Sequence, residues 1–136
     1  MENQPVVLYV EDEPRSRIVM KTILSIRMGL ENVTIFEDSE DFLTRVNNLA
    51  PQPDVIFLDI HMKPYTGFEM LKMLRSQEQF QETAIIALTA SVMNEEVDEL
   101  KNAGFDGCLA KPVNADRFPE TLRQIVSGER VWQIAG

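Results

Sequence analysis

The chain has 136 residues, 44% of them hydrophobic and 26% charged, which is typical of one globular domain rather than a disordered or fibrous protein. At that length we expect no separate catalytic or DNA-binding domain. A formal charge of −9 predicts a surface that repels nucleic acid phosphates and anionic lipid, so we expect neither direct nucleic acid binding nor membrane association. The single cysteine, Cys108, excludes an intrachain disulfide and favours a reducing compartment, with the cytoplasm as the expected location.

Short apolar runs predict five β-strands. Continuous runs of this kind indicate strands that are covered on both faces. The runs are residues 6–10, 32–36, 54–58, 84–88 and, shorter, 107–110.

Stretches with helical spacing of apolar residues separate these strands. The first helix is expected to open at Pro14 and close at Gly29, and the third to begin near Gly67. The fifth is expected over residues 117–126, with Pro119 in its first turn and Gly128 ending it. The apolar residues of the first four helices are Ile18, Ile23 and Ile26; Phe42, Leu43 and Val46; Phe68, Leu71 and Leu74; and Val97 and Leu100.

The alternation of strands and helices predicts a single doubly wound α/β fold, in which helices cover both faces of one parallel sheet. No Gly-, Pro- or Ser-rich linker divides the chain. We therefore expect one domain over residues 1–128 and a C-terminal tail over residues 129–136. The tail holds the only tryptophan, Trp132, and is expected either to pack on its own domain or to contact a partner or a second copy.

Polar side chains directly follow four of the predicted strands. Ligands of open parallel sheets bind at the carboxyl ends of the strands, so these side chains are expected to converge. Three converging carboxylates are tolerable only if some are protonated or if a cation neutralises them, and a hard divalent ion such as Mg²⁺ suits oxygen ligands. An added amine and hydroxyl can bind further phosphoryl oxygens, which predicts phosphoryl transfer. The residues are Glu11, Asp12, Asp59, Thr89 and Lys111.

Five fragments in chain order resemble the receiver domain of two-component response regulators, in its stand-alone, chemotaxis-receiver-like form. They cover nearly the whole chain, and they imply a flavodoxin-like fold with strand order 2-1-3-4-5. The fragments are residues 8–13, 57–62, Gly67 eight residues after Asp59, 87–90 and 107–112.

The resemblance implies a role for each residue of the site. Asp59 is implied to accept a phosphoryl group from a histidine kinase or a histidine phosphotransfer protein. Asp12 and Asp59 are implied to bind Mg²⁺, with Mn²⁺ as a substitute, together with the His61 backbone carbonyl and Glu11, directly or through water. The residues implied to bind the phosphoryl group are Thr89, Ala90 and Lys111. A cis Lys111–Pro112 peptide bond is also implied.

The implied function is a switch in protein contacts. Such a chain catalyses only its own phosphorylation and dephosphorylation, and signals to a downstream target protein as a monomer or weak homodimer. One alternative is a pseudo-receiver that binds partners without being phosphorylated. Another is a dehalogenase-type phosphatase. It is disfavoured because such enzymes carry a second acidic residue two positions after the nucleophile, where this chain has His61.

Three positions depart from the family pattern. Glu11 replaces the usual aspartate, and Lys63 stands where a proline is usual, with Pro64 one residue later. Cys108 stands where many receivers carry an aromatic switch residue. We therefore expect the output signal to travel through the loop after Thr89 and the fourth helix.

Each site residue also has a simpler interpretation when it is taken alone. Asp12 suits a cap for the first helix, Asp59 a turn, Thr89 a cap for the fourth helix, and Lys111 a solvated charge. His61 alone suits a surface imidazole, and Cys108 a small buried hydrophobe. The acidic run 95–99 suits a solvated helix face, or a surface that excludes wrong partners.

Overall fold

The computed structural model describes residues 4–134, and its five strands form one parallel sheet of order β2-β1-β3-β4-β5. The predicted doubly wound, flavodoxin-like α/β fold is therefore confirmed. The strands are β1 (Val7–Val10), β2 (Val33–Phe36), β3 (Val55–Asp59), β4 (Ala84–Thr89) and β5 (Gly107–Ala110). The helices are α1 (Pro14–Lys21, continued by a π-helical turn over Thr22–Arg27), α2 (Phe42–Asn47), α3 (Gly67–Arg75), α4 (Asn94–Ala103) and α5 (Phe118–Val126), with a 3₁₀ turn at Glu78–Phe80.

Two apolar layers hold the sheet between the helices. One layer packs α2, α3 and α4 against one face of the sheet, and the other packs α1 and α5 against the opposite face. The central strands β1 and β3 are buried along their whole length, as their continuous apolar runs predict. Among residues 4–134, no helix combines the length and the apolar character needed to cross a bilayer.

The prediction for the first helix was wrong at two positions. Ile18 and Ile26 are 66% and 77% exposed. Ile18 lies five residues before the buried Ile23, which is about 140° around an α-helix of 3.6 residues per turn. The change to π-helical winding after Lys21 further alters which residues face the sheet. The residues that α1 and its π-helical turn bury are Met20, Ile23 and Leu24.

The other helices follow the predicted pattern closely. Pro119 lies in the first turn of α5, and Gly128 follows the helix with a φ of +99°. Helix α3 begins at Gly67 with a capping box, in which Thr66 and Glu69 each accept a hydrogen bond from the other's backbone N–H.

Residues 131–133 of the C-terminal tail pack on the domain beside β5. Cys108 N–H donates to the Val131 carbonyl at 2.8 Å, and Gln133 N–H donates to the Cys108 carbonyl at 3.1 Å. Trp132 packs on the apolar layer of α3 and α4, with the Lys101 ammonium 5.3 Å from its ring centre. Cys108 and Trp132 thereby form an isolated parallel β-bridge at the β5 border of the sheet.

Candidate functional site

The carboxyl ends of β1 and β3 bring three acidic residues together. Glu11 directly follows β1 and is fully buried, and Asp59 ends β3 with 3% of its surface exposed. Asp12 is exposed to solvent. One carboxylate oxygen from each of the three lies within 4.8 Å of the others, so the predicted convergence of these acids is confirmed.

This acidic cluster fits a hard divalent cation. Three carboxyl groups face the Lys111 ammonium, so when all three are ionised the excess negative charge is one that Mg²⁺ or Mn²⁺ would balance. All the donors are oxygens, and the exposed Asp12 leaves a path for an ion that keeps part of its water shell. The residues present therefore suit such an ion.

Lys111 joins the two buried acids. Its ammonium lies 3.0 Å and 3.2 Å from the Glu11 carboxylate oxygens and 3.2 Å from Asp59 Oδ2. Burial alone would lower the pKa of Lys111, but the hydrogen bond to Glu11 and the charge of Asp59 outweigh it, so the pKa lies above its ordinary value. The side chain therefore remains a cation in this site.

Glu11 is the most enclosed member of the cluster. Burial raises the pKa of its carboxyl group, and the neighbouring Asp59 raises it further, whereas the hydrogen bonds from Tyr9 and Lys111 lower it. The net direction is upward. Glu11 and Asp59 share one ammonium group, so part of the repulsion between their carboxylates remains. A bound cation would relieve it.

The remaining predicted residues surround this cluster. Thr89 ends β4 with 6% of its surface exposed, and its hydroxyl accepts a hydrogen bond from Ser91 N–H at 3.1 Å. Ala90 and the His61 side chain are exposed, and His61 N–H donates to Asp59 Oδ1 at 3.2 Å. Metal binding by the His61 carbonyl and phosphoryl binding by Thr89 and Ala90 stay predictions.

The structure excludes three of the simpler interpretations. Glu13, not Asp12, caps α1, because its carboxylate accepts from Ser16 N–H at 2.7 Å. Thr89 does not cap α4, whose N-cap residue is Met93. Lys111 is paired with two acids rather than solvated.

Three other simple interpretations, those of His61, Cys108 and the acidic run 95–99, fit the structure. The His61 imidazole is exposed, and so are the acidic residues of the run 95–99. Cys108 is buried, and burial raises the pKa of its thiol. The Lys111–Pro112 peptide bond is cis, as the resemblance implies.

Two residues that contact the site or its neighbouring loop were not predicted from the sequence. Tyr9 donates its hydroxyl to Glu11 Oε1 at 2.8 Å. This contact could have been predicted, because residues two apart along a strand lie on the same face. Ser39 links the loop between β2 and α2 to the loop between β3 and α3. Its hydroxyl donates to the Tyr65 carbonyl at 2.8 Å and accepts from Tyr65 N–H at 2.7 Å. No local pattern signals a contact between residues so far apart in the chain.

Comparisons with known proteins identify a family over most of the chain. The family model of the response regulator receiver domain matches residues 7–123. A nitrate/nitrite response regulator protein homolog of Haemophilus influenzae is 30% identical over 129 residues, which are 95% of this chain and 60% of that protein. The polar-differentiation response regulator DivK of Brucella ovis is 31% identical over 71 residues, 52% of this chain and 58% of that protein. The chain thus spans about three fifths of these relatives' length.

Solved structures show the same architecture. The chemotaxis protein CheY4 of Vibrio cholerae has a TM-score of 0.79 and 30% identity, covering 90% of this chain and 99% of that one. The receiver domain of a sensor histidine kinase from Pseudomonas aeruginosa has a TM-score of 0.79 and 25% identity, covering 93% of this chain and 100% of that one. That structure holds a magnesium ion in its active site cleft.

Proposed function

The chain belongs to the response regulator receiver domain family, and on that premise we propose that it is a phosphorylation-dependent switch with Asp59 as the phosphoacceptor. One observation carries the proposal. The Lys111 ammonium lies within 3.2 Å of both Glu11 and Asp59 at the carboxyl end of the sheet, beside a third acid that completes an oxygen-donor cluster. Phosphoryl transfer to a carboxylate needs this combination of positioned nucleophile and positive charge.

In the proposed reaction an Asp59 carboxylate oxygen attacks the phosphorus atom of a phosphohistidine. The new P–O bond forms as the P–N bond breaks, and the imidazole leaves with the electron pair and takes up a proton. Lys111 is close enough to Asp59 to balance the charge of a phosphoryl oxygen. Hydrolysis later restores the carboxylate, when water attacks phosphorus and inorganic phosphate leaves.

Glu11, Asp12, Asp59 and the His61 carbonyl would hold a divalent cation in this site. When bound, Mg²⁺ or Mn²⁺ supplies neutralisation of the charge shared by the carboxylates and the phosphoryl oxygens. The chain itself orients the nucleophile, since Asp59 Oδ1 accepts from His61 N–H and Oδ2 faces Lys111.

The loop between β4 and α4 is the proposed output element. Thr89 and Ala90 would bind phosphoryl oxygens, with the Thr89 hydroxyl as a donor. That hydroxyl now accepts from Ser91 N–H, so a rotation toward the phosphoryl group would deprive Ser91 of its acceptor. The loop would then shift, biasing the protein between two conformations.

The biological setting is proposed from the family. A histidine kinase or histidine phosphotransfer protein would donate the phosphoryl group, and a downstream protein would read the switch, in the cytoplasm. The receiver unit is proposed to span residues 1–128, acting as a monomer or weak homodimer. It would catalyse no reaction besides its own phosphorylation and dephosphorylation.

The test is phosphorylation by a small phosphodonor in the presence of Mg²⁺, followed by intact-mass measurement. Wild type should gain one phosphoryl group, Asp59→Ala should gain none, and Asp98→Ala, which alters an exposed residue of α4, should match wild type. Chelation of the metal should abolish the gain. No gain in wild type would instead favour the pseudo-receiver alternative, and turnover of a generic phosphoester would favour the dehalogenase-type phosphatase.

A further inference from the structure

The Glu11 carboxylate is fully buried, and three groups donate to it. Lys111 donates to both oxygens, Glu13 N–H donates to Oε2 at 3.2 Å, and the Tyr9 hydroxyl donates to Oε1 at 2.8 Å. Lys111 also forms an ion pair with Asp59. Within residues 4–134, the Tyr9 hydroxyl donates to Glu11 alone. Tyr9 is therefore the one side-chain donor committed to this acid.

The packing of Tyr9 fixes the position of its hydroxyl. Tyr9 lies on β1, with Ile35 of β2 and Phe57 of β3 as its neighbours in the sheet. Only 1% of its surface is exposed, and its ring is part of the apolar layer beneath α1 and α5. A ring enclosed in this way cannot turn without disturbing the core. The hydroxyl is thus a rigid anchor for a flexible glutamate.

The anchor matters most when Lys111 engages an incoming phosphoryl group. Lys111 would then share its donors among three acceptors, and Glu11 would depend on Tyr9 and Glu13 N–H to keep its orientation. Donors that orient a ligand from behind are typically worth about 10–100-fold in metal affinity. Glutamate carries one more rotatable bond than aspartate, so it has more orientations to restrict.

We propose that Tyr9 is a positioning residue for the divalent cation, whose hydroxyl holds the Glu11 carboxylate in its binding orientation. This inference rests on the proposed function, because it concerns the cation of the same site. Tyr9 itself need not contact the ion. The prediction is a loss of metal affinity when the hydroxyl alone is removed.

The test is the affinity for Mg²⁺ alone, measured by isothermal titration calorimetry, and for Mn²⁺ alone, measured by electron paramagnetic resonance. Tyr9→Phe should bind about tenfold more weakly than wild type. Tyr65→Phe, which alters the only other tyrosine, should bind like wild type. Incorporation of 4-aminophenylalanine at position 9 restores a donor at the same place and should recover most of the affinity.

A double-mutant cycle separates positioning from a general effect on the fold. Glu11→Asp withdraws the carboxylate from the Tyr9 hydroxyl, so adding Tyr9→Phe to it should weaken metal binding no further. An undiminished effect of Tyr9→Phe in that background would overturn the inference. Thermal unfolding of each variant in the presence of a chelator measures any loss of stability that does not depend on the metal.

The outcomes also separate this inference from the proposed function. Wild-type and Tyr9→Phe proteins with equal metal affinity would overturn the role of Tyr9 alone, provided that Asp59 is still phosphorylated in wild type. A wild type that binds neither Mg²⁺ nor Mn²⁺ would overturn both.

Discussion

Replacing Gly107 with alanine should detach the tail from β5 without unfolding the domain. A Cβ atom at this position would lie 2.5 Å from the Val131 carbonyl oxygen, 3.2 Å from Val131 N and 3.2 Å from Ile86 Cδ1, the movable end of a side chain. The same carbonyl accepts the hydrogen bond from Cys108 N–H at 2.8 Å. Alanine and a docked tail therefore cannot occupy this space together.

The expected cost follows from how weakly the tail is held. Three hydrogen bonds from backbone N–H groups join it to Cys108 and Ala110, and at a net ~1 kcal/mol each they contribute about 3 kcal/mol. The Cys108 thiol adds a weak fourth bond to the Gln133 carbonyl at 3.5 Å. The half-buried Trp132 adds roughly 2 kcal/mol. Ordering residues 131–133 costs about 4 kcal/mol, so docking is favourable by only about 1 kcal/mol. Because the tail can leave, Gly107→Ala should cost no more than about that amount.

Three measurements report the detachment. Urea unfolding gives the free energy of unfolding, the emission of Trp132 should shift to the red, and the Cys108 thiol should become more reactive. As a control, Gly107→Ala should cost less in a chain that ends at Gly128 than in the full chain, because only the contact with Ile86 Cδ1 remains there. Unchanged Trp132 emission together with a protected thiol would refute the steric argument, and a loss of several kcal/mol would refute the weak docking.

Three further predictions concern stability and reactivity. Arg75→Ala removes an ion pair to Asp106 at 2.7 Å and three hydrogen bonds to backbone carbonyls. It should lower the free energy of unfolding in urea by about 2–3 kcal/mol. Arg123→Ala, which removes an exposed ion pair, should lower it little. Ser39→Ala removes the hydroxyl that fastens the β3–α3 loop, and should cost about 1–2 kcal/mol and slow phosphorylation by a small phosphodonor; unchanged kinetics would contradict the second part. Because burial raises the pKa of the Cys108 thiol above its ordinary 9.0, the thiolate is disfavoured in the native chain. The native chain should therefore react with a thiol reagent far more slowly than the urea-unfolded chain even at about pH 9, and equal rates would contradict the burial.

Periodicity explains why so much of the fold could be predicted. Apolar runs locate strands to within a residue or so, because both faces of a parallel sheet must be covered. Helix burial is harder to predict, as Ile18 shows: an apolar residue at the wrong angle remains exposed. The convergence of Glu11, Asp59 and Lys111 followed from their positions at strand ends, since parallel strands bring those ends together.

Contacts between distant segments were beyond the reach of local patterns. The pairing of Trp132 with Cys108 depends on the path of α5 and on the register of the tail, neither of which has a spacing signature. Gly107 was a partial signal, because glycine in a strand often marks the close approach of another backbone. The Ser39 contact with Tyr65 depends on how two loops meet, which only the packed structure determines.

The docked tail also changes what the sheet presents to other chains. A terminal strand carries unpaired N–H and carbonyl groups that act as a template for intermolecular pairing and aggregation. On the β5 side, Cys108 N–H, the Cys108 carbonyl and Ala110 N–H are already bonded to the tail. The tail thus acts as a cover for this border of the sheet, and a partner that adds a strand there must first displace it. We therefore expect loss of the tail to increase self-association more than it lowers the free energy of unfolding.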